Sequence, residues 1–469
     1  MNDLMIVPSL THRTQSLSLS KPGQPVLASR ATASALVAAA VAACAAAEQP
    51  VVATPGGIFP PKPAWLTDLS VGISESYDDN LYGVSGKGPM APQSSWITTV
   101  SPKLGINLAP LLGDGKTLQA LNFGYAPDLA IYHDASVESY NAHRFANTIK
   151  GKTDSFSFNL ENALSYVDGS QVAPIYSGSD SYRNSNGGAL PRERRQQIQD
   201  RAKILFQYDL GQFFVRPAAE LLLYDMRTDL RSTTGYQNYP SRNDVNGGAD
   251  VGYRLTKDLA VTLGYRYGNQ YQLQMPVAVD PTQLDSSNDY QRALVGLEGK
   301  SWKWLTFSIL AGPDFRSYGA TAGVSDRTPI TYYGEASAAA QITAKDSLTL
   351  KYKQWRFVSY SGRLPCSNSD YDLKYRRKLT QALTLDLAGR ATTSDFTCGY
   401  DPSTKHSDQR EDWSFIFSPG LTYAFTPNLS ANLAYSLQAG RGLQDNPPGG
   451  AQYRDFDRNL VSGGVMFKF

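Results

Sequence analysis

From residue 66 to the C-terminus the chain repeats one pattern: a segment of apolar and polar residues in alternation, a turn of a few residues, another such segment, then a long polar loop. Successive side chains of a strand point to opposite faces, so this alternation builds strands with one apolar and one polar face. It is clearest at Trp96, Thr98, Val100, Leu104, Ile106 and Leu108, at Leu259, Val261, Leu263, Tyr265 and Tyr267, and at Phe415, Phe417, Leu421 and Tyr423. No stretch fits a 3.6-residue period better. The short turns recur at Leu255–Leu259, Thr343–Leu348, Leu379–Leu383 and Phe425–Leu429, with others near 209–212 and 300–303. The long connections, such as 167–195, 226–243 and 268–288, are rich in Gly, Asn, Ser, Asp and Pro. Short turns on one side and long loops on the other are the asymmetry of a transmembrane barrel; a soluble β-sandwich does not sort its connections so regularly.

The expected fold is therefore all-β: a closed transmembrane antiparallel β-barrel, with short periplasmic turns and long outer loops. Closure is required because lipid cannot satisfy an open sheet edge. About eighteen strands and nine outer loops fit the spacing. Sixteen is the alternative, because 66–77 and 139–150 are the least regular segments. At this size the lumen holds water as well as side chains. Composition agrees. Hydrophobic residues are 41% and mean hydropathy is −0.34, and no internal run approaches the roughly 20 apolar residues of a membrane helix.

Residues 31–43 form a short Ala-rich apolar core after Arg30, and Ala45-Ala46-Ala47 offers a cleavage site before Glu48. Residues 1–47 thus read as a signal peptide. A second reading takes Val41-Ala42-Ala43-Cys44 as a lipoprotein signal in which Cys44 is lipidated and kept. Residues 48–65 carry five prolines and read as a periplasmic linker, too short for a plug domain, followed by the barrel over 66–469. The export segment holds three of the 44 basic residues and one of the 42 acidic ones, which leaves 41 of each and no basic block for nucleic acid. The final residues Val461, Gly463, Val465, Phe467 and Phe469 alternate up to the carboxyl terminus. Such an end, with Phe469 last, resembles the signal by which barrel assembly machinery recognises its substrates.

Residues 72–82 read Gly-Ile-Ser-Glu-Ser-Tyr-Asp-Asp-Asn-Leu-Tyr. With Tyr77, Asp78, Asp79 and Asn80 followed by an apolar residue, this resembles the opening strand of the beta-barrel porin-2 family. The resemblance implies a bacterial outer-membrane barrel with a transport role and no catalytic residues. Read from the residues themselves, Tyr77–Asn80 is a strand end with an aromatic girdle residue and a polar turn, against the alternative of a calcium or substrate site.

If the apolar phase of each strand faces lipid, the other phase faces the lumen. This places Lys351, Lys353 and Trp355, then Lys374, Arg376 and Lys378, then Asp386 and Arg390 inside on three neighbouring strands. Arg201, Lys203, Arg216, Arg254 and Arg266 share the interior with Glu161, Glu220 and Asp250. Two readings stand side by side: a basic wall that favours anionic solutes, or salt bridges that keep a wet lumen soluble. Cys366 and Cys398 flank a hairpin centred near Gln381. Folding it puts position 366 opposite 396, so a Cys366–Cys398 disulfide at the outer rim is expected.

An enzyme is not expected. His133 and His406 fall in predicted outer loops and His143 near a strand start; His143 beside a Ser is the one arrangement a hydrolase could start from. No Cys or His spacing resembles a metal site, no Gly-rich loop joins a strand to a helix, and no cofactor is expected. The leading expectation is an outer-membrane channel, porin-like, for passive diffusion of small hydrophilic solutes, anions among them. The alternatives are an exopolysaccharide export or accessory barrel, and a structural or adhesive barrel plugged by a loop such as 167–195 with Arg192, Glu193, Arg194 and Arg195. Expected partners are outer-membrane lipid and lipopolysaccharide, the assembly machinery, small solutes and further copies in a homotrimer.

Overall fold

The computed structural model describes residues 62–83, 92–113, 116–169, 196–227, 241–272, 286–319, 326–358, 365–395, 400–401, 406–407, 410–444 and 455–469. The strands are β1 (Leu66–Asp78), β2 (Ser95–Asn107), β3 (Leu118–Tyr125), β4 (Asp128–Tyr132), β5 (Tyr140–Lys152), β6 (Phe156–Asp168), β7 (Gln197–Leu210) and β8 (Phe213–Met226). They continue with β9 (Arg242–Thr256), β10 (Leu259–Gln272), β11 (Asn288–Ser301), β12 (Leu305–Tyr318), β13 (Ile330–Gln341), β14 (Asp346–Phe357), β15 (Cys366–Lys378) and β16 (Leu383–Asp395). A two-residue hairpin, β17 (Tyr400–Asp401) with β18 (His406–Ser407), precedes β19 (Arg410–Ala424), β20 (Leu429–Gln444) and β21 (Phe456–Lys468).

Each wall strand pairs antiparallel with its neighbours in the chain, and β21 returns to pair with β1 from Ser70↔Lys468 to Asp78↔Leu460. The sheet is therefore closed, with no edge to expose. It contains 19 segments. Both β3 and β4 lie between β2 and β5, so they form one crossing and the wall has eighteen. The break falls at Ala126-Pro127, where Pro127 has no N–H to give the ladder. The expected single strand through Leu121–Ile131 is thus split, with its phase preserved. The irregular segments 66–77 and 139–150 are full strands, so the sixteen-strand alternative falls away.

The short connections lie where the turn sequences place them. Gly211 takes a left-handed φ of 69° in the β7–β8 turn, a conformation free of strain only without a Cβ. The β2–β3 connection also holds a single helical turn, α1 (Ala109–Leu112), and Ser136–Glu138 form a 3-10 turn, so among the described residues the all-strand reading is corrected at both places. Pro110 supplies a preset φ there, and Asn107 Oδ1 accepts from the Ala109 N–H at 3.0 Å.

Burial follows the alternation. Ile73, Leu263 and Val295 are 57%, 66% and 61% exposed on the outer surface, where lipid replaces water as their environment. Aromatic rings gather near both ends of the wall: Tyr77 against Trp96 at 5.2 Å near the loop end, and Phe213 against Tyr253 at 5.0 Å near the turn end. Residues of the opposite phase, among them Asp250, Arg292 and Asp314, are buried inside. The apolar belt, the girdles and the closed ladder together define an outer-membrane β-barrel.

Candidate functional site

Three charged arrangements stand out on the barrel wall among the described residues, and strand phase places most of their side chains. The first is at the seam. Asp78, the last residue of β1, is fully buried and accepts from Arg458 Nε on β21 with both carboxylate oxygens at 3.0 Å. Asp79 accepts from the Asn459 backbone N–H and from Asn459 Nδ2, each at 2.7 Å. Asn80 Nδ2 donates to the Asp457 carbonyl at 2.9 Å. The Tyr77–Asn80 segment therefore joins the first strand to the last. Tyr77 stands outward at the strand end, and the polar turn that follows, with the Asn80 N–H donating to Asp78 Oδ1 and the Gly83 N–H to the Asn80 carbonyl, each at 3.1 Å, also latches the closure.

The second is a belt of ion pairs in the lumen. Lys203 meets Glu220 at 2.8 Å, Arg266 meets Asp250 at 2.8 Å, and Arg254 meets Asp209. Arg216 on β8 reaches Glu298 on β11 with a two-pronged bond of 2.9 and 2.5 Å. That planar fork is the geometry for which guanidinium is suited. A cavity of about 540 Å³ runs between Lys203, Glu220 and Glu161 on one wall and Lys353, Trp355 and Tyr333 on the other.

The third is nearer the loop end, and its residues carried no mark in the sequence analysis. Arg316, whose side chain is 0% exposed, donates to Asp314 at 2.7 Å, Gln270 at 2.9 Å, Asn288 at 2.7 Å and the Arg356 carbonyl at 2.9 Å. Arg292 lies between the rings of Tyr290 and Tyr333, at 4.1 and 4.0 Å from their centroids. Arg242 stacks on Tyr224 at 4.4 Å, and Arg356 faces Tyr318 at 5.2 Å. Tyr290 and Gln270 both donate to Asp244, at 2.7 and 2.8 Å. Burying this many guanidiniums is tolerable because each meets a carboxylate, an amide oxygen or a ring face. The bonds from Gln270 and Arg316 to the Arg356 carbonyl join strands that are not neighbours. The chain at the end of β14 therefore bends inward. Phe357 and Val358 are buried there, and the mouth is narrowed.

The basic residues expected on β14–β16 divide. Lys353 pairs with Glu335 at 3.0 Å, Arg376 with Asp386 at 2.6 Å and Arg390 with Asp372 at 2.6 Å. Lys351, Lys374 and Lys378 enter no ion pair among the described residues. Cys366 is buried at the start of β15, and Ser367↔Asp395 is the outermost described pair of its hairpin with β16. Cys398 lies outside the described residues, as do 170–195, which include Arg192–Arg195, and residues 1–61 with Cys44.

His143 is on the outer face, its ring stacked between Tyr125 and Tyr166, with Nδ1 2.8 Å from the Tyr125 hydroxyl. It is brought beside aromatic rings rather than a nucleophile. His133 Nε2 is 2.8 Å from Thr98 Oγ1, which donates to Glu75 at 2.6 Å. Phe469 continues the β21 ladder by donating its N–H to the Leu69 carbonyl at 2.9 Å, and its ring meets Phe467 edge-on at 4.8 Å.

No family model matches the chain, and the comparison with curated proteins found no match. Solved structures similar to it are outer-membrane barrels. OpdO of Pseudomonas aeruginosa has a TM-score of 0.41 and 11% identity over 86% of this chain and 98% of its own. The FrpB iron transporter of Neisseria meningitidis has 0.41 and 10%, over 86% and 82%. The siderophore receptor PirA of Acinetobacter baumannii has 0.40 and 8%, over 86% and 81%.

Proposed function

We propose that this protein is a passive channel of the beta-barrel porin-2 type for small hydrophilic solutes, with a preference for anions. The observation that carries the reading is the uneven lumen. Most inward carboxylates are already held by arginine or lysine, whereas Lys351, Lys374 and Lys378 keep their charge unmatched along one wall. A solute passing through the wet interior meets net positive potential there, and fixed charge in a confined pore selects by sign. Charge inversion at these three positions, Lys351→Glu with Lys374→Glu and Lys378→Glu, is expected to turn anion preference into cation preference. Each inverted charge trades an attraction of about 1 kcal/mol at contact distance in water for an equal repulsion, a swing of about 2 kcal/mol or roughly thirtyfold in ion occupancy. Reversal potentials across a planar bilayer under a salt gradient measure it; an unchanged sign would remove these lysines from the selectivity account.

A disulfide between Cys366 and Cys398 belongs to the same proposal, because it would tie the chain after β16 to the mouth that β14 narrows. The hairpin register supports it: Cys398 is two residues from the position opposite Cys366. Prepared as residues 48–469, which hold only Cys366 and Cys398, and unfolded without reductant, the protein should take up no alkylating reagent until reductant is added, and then gain two adducts. Labelling before reduction would refute the bond.

A further inference from the structure

The lipid-facing phase of β5, β6 and β7 carries polar side chains where its neighbours are apolar. Asn147 stands between Phe145 and Ile149, Asn162 between Leu160 and Leu164, and Asp200 between Ile198 and Ala202. The register sets Asn147 opposite Asn162, and Asp200 opposite Leu164. They form a row: Asn147 Nδ2 donates to Asn162 Oδ1 at 3.3 Å, and Asn162 Nδ2 donates to Asp200 Oδ1 at 2.5 Å. Asn162 is the midpoint of β6, and Asp200 lies one outward position below Ile198, which is paired with the girdle residue Tyr166. The row is thus at hydrocarbon depth, where acyl chains offer neither donors nor acceptors and polar side chains are expensive.

The row also has a direction. Its Asn147 end presents an amide N–H, and its Asp200 end presents a carboxylate oxygen. A second copy related by a two-fold rotation about the membrane normal would run its row the other way across the contact, with its Asn147 end facing this Asp200 end. Beside the row Ala202 is paired with Asn162, and β8 sets Leu221 opposite Ala202 and Leu223 opposite Asp200, so the polar row is bordered by apolar side chains. Polar side chains at this depth bond to polar groups of another chain rather than to lipid. On the opposite wall, a groove around Ala338 and Gly389 framed by Phe307, Tyr352 and Phe415 is mostly apolar, so acyl chains suffice to fill it.

We propose that the outer wall of β5–β9 is where a second copy of this chain docks, through the Asn147–Asn162–Asp200 row. The test is native mass spectrometry of the full folded chain released from lipid nanodiscs. Wild type is expected to carry two or more chains, and the Asn162→Leu/Asp200→Leu double variant the mass of one, with the heat-dependent gel shift of a folded barrel retained. A single-chain wild type, or a folded double variant that keeps the wild-type mass, would overturn the proposal. If the double variant does not fold, Ala202→Cys in the otherwise unchanged chain reads the same contact. A short bis-maleimide should join two copies above the level seen without the substitution, and failure to do so leaves lipid as the occupant of this wall.

Discussion

Replacing Arg316 with Ala should lower the barrel's resistance to denaturant and raise its single-channel conductance together. Arg316 is fully enclosed and bonds Asp314, Gln270, Asn288 and the Arg356 carbonyl. Removing it leaves Asp314, itself 0% exposed, without that cation; breaking a buried pair from one side costs about 3–5 kcal/mol. Part of the loss comes from the bond to Arg356, so the inward bend at 356–358 should relax and widen the mouth. Arg316→Lys separates the two effects. It keeps the charge but lacks the fork that bonds four groups at once, so most of the conductance change should persist. Urea titration of the folded protein and bilayer recording provide both readings. Unchanged conductance in Arg316→Ala would mean that the bend is held by Phe357 and Val358 packing alone.

The second large effect is expected at the seam. Asp78→Ala removes the carboxylate that Arg458 holds with three bonds, two from Nε and one from Nη2, and leaves a largely buried guanidinium with Gln438, again on the order of 3–5 kcal/mol. Asp79→Ala should cost less, about 1.5–3 kcal/mol for a charge-assisted bond to Asn459, because that end is more open. The ordering matters. Closure between β1 and β21 is the last pairing a barrel can make, since its partners are separated by almost the whole chain. The Asp78 variant should therefore show slower refolding into detergent as well as an earlier urea midpoint. Equal midpoints for the Asp78 and Asp79 variants would contradict the latch described for Asp78–Arg458.

The fold was legible because lipid makes the constraint simple: each wall strand must alternate, and each connection must be either a short turn or a long loop. Phe307, Ile309 and Phe315 announce the outer face of β12, and the same phase places Asp314 and Arg316 inside. The arginine cluster was only partly legible. Arg292 and Arg316 sit in the inward phase two residues from Tyr290 and Tyr318, which is a readable signal. Arg356 shares the phase of outward Tyr352 and enters the lumen only because the chain bends at its strand end, and period two carries no trace of that. The seam role of Asp78 and Asp79 depends on β21, nearly four hundred residues away, so local turn chemistry could not express it. The lipid-facing Asn162 was legible, because Leu160 and Leu164 fix its phase. The break at Pro127 was not read from the alternation, which runs on through Leu129 and Ile131, although a proline that cannot serve both sides of a central strand was its signal.

An open, anion-favouring pore has a direct readout in the reversal potential of the refolded wild-type protein in a planar bilayer under a potassium chloride gradient. Steady conductance that scales with salt, with a reversal potential of the sign set by chloride, is the predicted result. Absence of conductance from a folded barrel, or a reversal potential set by potassium, would contradict the account.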